Sequence, residues 1–194
     1  MPLSETDGPP EGHSHRLPSD RHSGLKAVEG LLPSERVRNM EKRYYLAYGS
    51  NLNMKQMRWR CPTARPVGTA VLENYELLFK GSKTGAYLTV EPRDGSSVPL
   101  GVWAVGTEDE LRLDYYEGYP GFYYKKDILL PIIGIRSGKV RVRKAFIYIM
   151  HEERPPGIPS PAYVYTCMDG YLDFGFDRSI LSQACRRSIM EVGE

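Results

Sequence analysis

The chain has 194 residues, of which 41% are hydrophobic and 26% are charged, and its formal net charge at pH 7 is +2. This length is enough for one sizeable domain with a hydrophobic core and too short for two ordinary ones. The nearly balanced charge, without a basic stripe between aromatic residues, argues against a nucleic-acid-binding protein. No stretch approaches the roughly 18 apolar residues that a membrane span needs.

The composition divides the chain near residue 42. Residues 1–42 are rich in Pro, Gly, Ser, His and charged residues, and we expect a disordered N-terminal extension because they contain little to bury. Its histidines would have no fold to hold them around an ion, so no metal site is predicted there. Met40 lies just before the first expected strand, and whether residues 1–39 are native or an upstream extension is left open. Residues 43–194 are predicted to form one domain.

The cysteines indicate a reducing compartment. Cys61, Cys167 and Cys185 are far apart in sequence, odd in number and without a CxxC pair, which is typical of free thiols rather than of a disulfide framework. The N-terminus has no apolar signal segment. We therefore expect a cytoplasmic protein, with the cysteines acting as small buried hydrophobic residues.

Short strands dominate the first half of the domain. An aromatic strand leads into Gly49, and a short helix from Asn53 to Arg60 follows, with Asn53 as its N-cap. Gly, Pro and Asp separate the later apolar runs. The predicted strands are Tyr44–Tyr48, Val67–Leu72, Tyr75–Lys80, Ala86–Glu91 and Pro99–Val105.

A helix signal marks the middle of the domain. Thr107 and Glu110 have the spacing of a capping box, in which each side chain binds the other residue's backbone N–H. The predicted helix runs from Glu108 to Glu117 and ends at Gly118, since glycine favours the left-handed conformation that follows a helix.

Two long strands and two helices complete the pattern. The strands are predicted at Phe122–Ile132 and Lys139–Met150, and the helices at Ala162–Tyr171 and from an Asp177 cap through Ile189. Many strands with few helices predict an α+β fold, a small mixed β-barrel with flanking helices.

Glu117 is a candidate acid/base group. A carboxylate in the last turn of a helix faces the negative end of the helix dipole, and burial would further oppose its ionisation. Its pKa is therefore expected to lie above the ordinary value, as general acid/base catalysis near neutral pH requires. An exposed helix-end glutamate without a role is the alternative.

The segment from Tyr48 through Gly49, Ser50 and Asn51 to Leu52 joins a strand to a helix. Backbone N–H groups in such a turn can hold an anion, and Gly49 would let a ligand approach the backbone closely. Many strand–turn–helix units look alike, so an ordinary turn is the alternative.

Tyrosines outnumber phenylalanines by 14 to 5, and several surround Glu117 in sequence. A tyrosine combines an apolar wall with one hydrogen-bonding tip, which suits a cavity for a polar ligand. Strand alternation places Tyr123 and Tyr124 on opposite faces, so only one of them can face a given site.

Four segments together resemble the gamma-glutamylcyclotransferase-like family. They are YGSNL at 48–52, LDYYEGY at 113–119, PSPAY at 159–163 and GYLDFGF at 170–176. The resemblance covers about residues 43–190, in the order that the family has. It implies a mixed barrel and a cofactor-independent enzyme that releases 5-oxoproline from a gamma-glutamyl amino acid, peptide or amine.

The resemblance also implies roles for single residues. Glu117 corresponds to the catalytic general acid/base, residues 48–52 to the loop that binds the gamma-glutamyl head, and Tyr123 and Tyr163 to pocket tyrosines. The spacing after Glu117 is one residue shorter than in the animal glutathione-pathway enzyme, so Tyr124 is the alternative to Tyr123. This difference concerns the choice of substrate more than the core chemistry.

A binding module for a small metabolite or a peptide end, without turnover, is the second functional hypothesis. It would use the same pocket but would not need a carboxylate at the end of the helix. The expected partner is a small gamma-glutamyl molecule, without nucleic acid, membrane or metal. The sequence leaves the leaving group open, as well as the choice between a monomer and a homodimer.

Overall fold

The computed structural model describes residues 42–82 and 85–193. Its strands are β1 (Arg43–Ala47), β2 (Arg65–Ser82), β3 (Gly85–Val105), β4 (Tyr123–Gly134) and β5 (Val140–Met150). Its helices are α1 (Met54–Arg60), α2 (Thr107–Glu117), α3 (Pro161–Phe174) and α4 (Arg178–Gly193), and Ser50–Leu52 form one 3₁₀ turn. The predicted extension, apart from Lys42, lies outside the described residues.

The five strands close into a barrel in the order β1-β3-β2-β4-β5. Parallel pairing of β5 with β1, where Leu46 lies opposite Ile147, closes the ring, and the other neighbouring strands pair antiparallel. Leu46, Ile147 and Val102 are completely buried. The predicted α+β barrel with flanking helices is confirmed.

Strands β2 and β3 are longer than predicted. Four short strands were expected, but the structure joins them into two long antiparallel strands. Asn74 lies at an irregularity of the pairing and has a φ of 59°. Asparagine tolerates this left-handed conformation better than most residues, so the strand continues through a residue that resembles a turn in sequence.

Three predicted helix boundaries are confirmed. The Asn53 side chain accepts a hydrogen bond from the N–H of Gln56 and caps α1. Gly118 follows α2 in the left-handed conformation, with a φ of 62°. Asp177 accepts from the N–H of Ser179 at 2.8 Å at the start of α4. None of the described helices combines the length and apolar character needed to cross a membrane.

The predicted capping box at the start of α2 is wrong. Gly106 is the N-cap, and Thr107 is the first helical residue, without a side-chain capping bond. The Glu110 carboxylate instead accepts hydrogen bonds from Arg43 and Lys125, each at 2.6 Å. Two cations from the barrel outcompete one local N–H, because hydrogen bonds between charged partners are stronger.

Candidate active site

A cavity lies where the turn after β1, the end of α2 and the barrel wall meet. Seven of the eight predicted site residues line it. The residues around it are Tyr45, Tyr48, Gly49, Ser50, Asn51, Tyr87, Leu88, Tyr116, Glu117, Tyr123, Tyr148 and Tyr163. They come from the 3₁₀ turn, from helices α2 and α3 and from four strands or strand ends, so the fold brings together segments that are far apart in sequence.

Leu52 is the predicted site residue that does not line the cavity. It is completely buried and packs into the core instead. A Cβ atom at Gly101 would lie 2.6 Å from Leu52 Cδ2, and one at Gly170 would lie 2.6 Å from Leu52 Cβ. Leu52 therefore anchors the turn against β3 and α3, while the preceding residues face the cavity.

Glu117 is the last residue of α2 and is only 8% exposed. The amide Nδ2 of Asn51 donates to its Oε1 at 2.7 Å, and the same nitrogen donates to the hydroxyl of Tyr45 at 2.9 Å. The helix ends here because Gly118 turns the chain away. The carboxylate is thus fixed against the turn that carries Asn51.

Burial raises the pKa of Glu117 from an ordinary 4.5 to about 7, although the Arg60 charge and the Asn51 hydrogen bond both act to lower it. Removing a carboxylate from water penalises its charged form, and here this effect dominates. A group with this pKa is present in both protonation states near neutral pH. It can therefore both accept and return a proton.

Arg60 lies at the end of α1, and the sequence interpretation did not include it. Its Nη1 donates to Asn51 Oδ1 at 2.6 Å, and its Nη2 donates to the Tyr116 hydroxyl at 2.5 Å. The guanidinium carbon is 3.5 Å from the centre of the Tyr116 ring. The sequence contains one indication of this contact. Arg60 is a basic residue two helical turns after the loop, and its side chain reaches back towards that loop.

The backbone of Leu88 connects the turn to two tyrosines. Tyr123 donates its hydroxyl hydrogen to Leu88 O at 2.8 Å, and the Leu88 N–H donates to the Tyr163 hydroxyl at 3.2 Å. A Cβ atom at Gly49 would lie 3.3 Å from that Tyr163 oxygen and 3.5 Å from the Leu88 Cβ. Any side chain at position 49 would therefore crowd this part of the cavity.

Tyr123 and Tyr124 lie on opposite faces of β4. Tyr123 is 3% exposed and lines the cavity. The Tyr124 hydroxyl donates to Glu152 at 2.6 Å on the outside of the barrel. Of these two residues, the geometry favours Tyr123 as a pocket residue.

Four further tyrosines of the cavity wall, Tyr45, Tyr87, Tyr116 and Tyr148, were not among the predicted residues. Tyr148 donates to Asp114 Oδ1 at 2.6 Å, so its hydroxyl is held by the helix that carries Glu117. Sequence proximity indicated only Tyr116. The other three reach the site through barrel pairing, which local patterns do not reveal.

Within residues 42–82 and 85–193, no three His, Cys, Asp or Glu side chains are grouped as ligands for a metal ion.

Comparison with known proteins places the chain in a family. The family model "Gamma-glutamyl cyclotransferase, AIG2-like" matches residues 45–165. The chain belongs to this family of cyclotransferase-type enzymes. The matched range includes every cavity residue described above.

Individual relatives agree with this assignment. Over 150 residues the chain is 29% identical to human gamma-glutamylcyclotransferase, covering 73% of each chain. A solved structure of a gamma-glutamyl cyclotransferase matches with a TM-score of 0.61 at 25% identity, over 74% of this chain and 86% of that one. YkqA from Bacillus subtilis shares the fold, with a TM-score of 0.58 at 16% identity over 80% of this chain and 57% of that one.

Proposed function

We propose that this enzyme releases 5-oxoproline from a gamma-glutamyl amino acid, peptide or amine, with Glu117 as the general acid/base. The observation that carries the proposal is the buried Glu117 carboxylate, which lines the same cavity as the turn at residues 49–51 and has a pKa raised to about 7. Membership of the family supports the reaction type.

The reaction needs no external nucleophile. The alpha-amine of the gamma-glutamyl group attacks its own gamma-carbonyl carbon, a C–N bond forms in the new ring, and the original gamma-amide C–N bond breaks. Holding the substrate in a folded shape therefore supplies much of the rate, since both reacting groups belong to one molecule. The tyrosine-lined cavity is suited to this restraint.

Proton transfer is the role assigned to Glu117. The substrate's alpha-ammonium must lose a proton before its nitrogen can attack, and the departing nitrogen must gain one. An ionised Glu117 accepts the first proton and, once protonated, delivers it to the leaving nitrogen. The ring nitrogen loses a second proton after the attack, and the released amine takes up this proton to become an ammonium. A carboxyl whose pKa is close to neutral performs both steps better than one whose pKa is near 4.5.

The turn after β1 is proposed to bind the gamma-glutamyl head. Its own hydrogen bonds use the N–H groups of Leu52 and Asn53, which donate to Gly49 O and Ser50 O. Within the described part of the chain, the N–H groups of Ser50 and Asn51 are not used in this way. They are the donors proposed for the substrate's carboxylate or for the oxyanion that develops during ring closure.

A cytoplasmic location is also proposed. Cys61, Cys167 and Cys185 are all free thiols, and the first two are buried. Such cysteines are typical of proteins from reducing compartments.

The test is incubation with a panel of gamma-glutamyl amino acids, peptides and amines, following 5-oxoproline. Two sets of matched controls cannot form the ring in the proposed way. These are the N-acetylated gamma-glutamyl compounds, which lack a free alpha-amine, and the corresponding alpha-glutamyl isomers. We expect turnover of at least one panel member and none of its controls. Saturable binding of panel members without any 5-oxoproline would contradict the proposal and favour the non-catalytic binding module.

A further inference from the structure

The Arg60 guanidinium bridges the turn after β1 and the end of α2. One arm of its fork donates to Asn51 Oδ1 at 2.6 Å and to Ser50 Oγ at 3.4 Å. The other arm donates to the Tyr116 hydroxyl at 2.5 Å. Arg60 thus contacts two elements that lie next to Glu117. Its shortest hydrogen bonds are to Asn51 and Tyr116, and it acts on the position of Glu117 through these residues.

These contacts determine which way the Asn51 amide points. An arginine can only donate hydrogen bonds, so the atom of Asn51 that faces Arg60 must be its carbonyl oxygen. The amide nitrogen then faces the opposite way, where it donates to Glu117 Oε1 and to the Tyr45 hydroxyl. A flipped amide would bring two acceptors, the amide oxygen and the carboxylate, against each other.

We propose that Arg60 is a positioning residue for the cyclotransferase reaction, which fixes the Asn51 amide and through it the Glu117 carboxylate. The inference rests on the proposed function of Glu117 and adds a residue to it. The fork geometry is essential to this role, since one planar group must reach Asn51 and Tyr116 at the same time.

Arg60 also supplies the positive charge that acts on Glu117. The other titratable groups nearby, on which the Glu117 charge acts, are the cavity tyrosines Tyr45, Tyr48, Tyr116, Tyr123, Tyr148 and Tyr163, together with the thiol of Cys61. Burial raises the pKa of each of these groups, that of Cys61 to about 12, so all are neutral at physiological pH. The Arg60 charge therefore keeps Glu117 ionisable in a site that otherwise disfavours a carboxylate.

Charge and geometry can be separated by two substitutions. Arg60→Lys keeps the positive charge but cannot hydrogen-bond to Asn51 and Tyr116 at the same time. Arg60→Met removes the charge and these hydrogen bonds while retaining an apolar stem. Arg58→Met is the matched control, because Arg58 lies on the same helix but is exposed. Thermal melts of all three variants would establish that they are folded.

The first measurement is the titration of Glu117 in the free protein, by NMR or infrared difference spectra against Glu117→Gln. In Arg60→Met the midpoint should move to higher pH by about one unit or more, because an opposite charge nearby favours ionisation. In Arg60→Lys and Arg58→Met it should stay close to that of the parent. An unchanged midpoint in a folded Arg60→Met protein would overturn the proposed electrostatic effect of Arg60 on Glu117.

The second measurement is kcat and KM for release of 5-oxoproline. In Arg60→Lys we expect kcat to fall about tenfold or more while the Glu117 midpoint is retained, since misplacing a catalytic group is sufficient to slow turnover. Full kcat in Arg60→Lys would overturn the positioning role. The two proposals fail differently: a parent enzyme without turnover would contradict the proposed function, whereas the titration tests the effect of Arg60 on Glu117 whatever the activity.

Discussion

Helix α2 carries carboxylates in two opposite surroundings. On one side of the helix, one turn apart, Glu110 and Asp114 form ion pairs with Lys125 at 2.6 and 2.7 Å, and Glu110 also pairs with Arg43 at 2.6 Å. At its end, Glu117 has an amide donor and no ion pair among the described residues. One set of carboxylates ties the helix to the barrel, and the other faces the cavity.

This difference separates a structural role from the proposed chemical role on one helix. Glu110 and Asp114 are partly buried but paired with a cation, so their charges strengthen the contact between helix and strand. Glu117 is buried without such a partner in the described part of the chain, and its pKa is raised to about 7. The ion pairs fix the helix, and the fixed helix holds an unfavourably placed carboxylate at the cavity.

Removing the carboxylate of Glu117 should have the largest effect on activity. Glu117→Gln keeps the size of the side chain and an acceptor for Asn51 but cannot transfer protons. We expect kcat for release of 5-oxoproline to fall by about 10²–10⁴-fold, the usual contribution of general acid/base catalysis. Glu108→Gln, an exposed change on the same helix, is the control and should leave kcat unaltered. A Glu117→Gln protein that is folded and within about threefold of the parent rate would contradict the assignment.

The pH dependence of turnover gives the next largest effect. The base must be ionised, so kcat/KM should fall towards acid pH about tenfold per unit below a midpoint near the Glu117 pKa of about 7. With a pKa of 4.5, the same decline in kcat/KM would begin at a much lower pH. A flat profile of kcat/KM from about pH 5 to 8 would show that no such group limits the reaction.

Stability should respond to the same group with a definite sign. Below pH 4.5 Glu117 is protonated in the folded and the unfolded chain, so it has little effect. Between 4.5 and about 7 the unfolded chain loses this proton while the folded one keeps it, and the free energy of unfolding decreases with pH. Glu117→Gln should therefore raise the free energy of unfolding at pH 8, by at most about 3 kcal/mol, and change it little at pH 4.

Urea unfolding of both proteins at the two pH values measures this difference. Glu108→Gln again serves as the control, because an exposed glutamate should not show the same pH dependence. If the Glu117→Gln substitution changed stability equally at both pH values, burial of the charge would not be the cause.

The sequence revealed the parts of the site that depend on local pattern. The helix end at Gly118 and the Asn53 cap follow from residue types alone, and the position of Glu117 in the last turn follows with them. The prediction that the turn at 48–52 and Glu117 form one site came from resemblance to a family. No local rule places Asn51 beside Glu117, which is 66 residues away in the sequence.

What the sequence missed depends on long-range contacts. Tyr45 and Tyr148 meet at the site because β1 and β5 pair in parallel to close the barrel. The residues of either strand do not indicate which strand it pairs with. The capping box failed for the same reason. Glu110 fits the local motif, but Arg43 and Lys125 from distant strands bind its carboxylate instead.

The smallest predicted effect concerns the ion-paired carboxylates of α2, and its sign is opposite to that at Glu117. Lys125→Met removes the cation that faces both Glu110 and Asp114 while keeping an apolar stem. The pairs are partly buried, with side chains between 15% and 20% exposed, so their loss should exceed that of a surface pair. We expect the free energy of unfolding to decrease by about 1–2 kcal/mol at pH 7.

Activity should distinguish this change from a change at Glu117. Arg43 still holds Glu110, and Tyr148 still donates to Asp114, so α2 should keep its place and kcat should stay within about threefold of the parent. Lys126→Met, an exposed change next to it on β4, is the control for stability. A Lys125→Met protein that is as stable as this control, or that has lost activity as Glu117→Gln does, would show that structure and chemistry are not divided between the ion-paired carboxylates and Glu117.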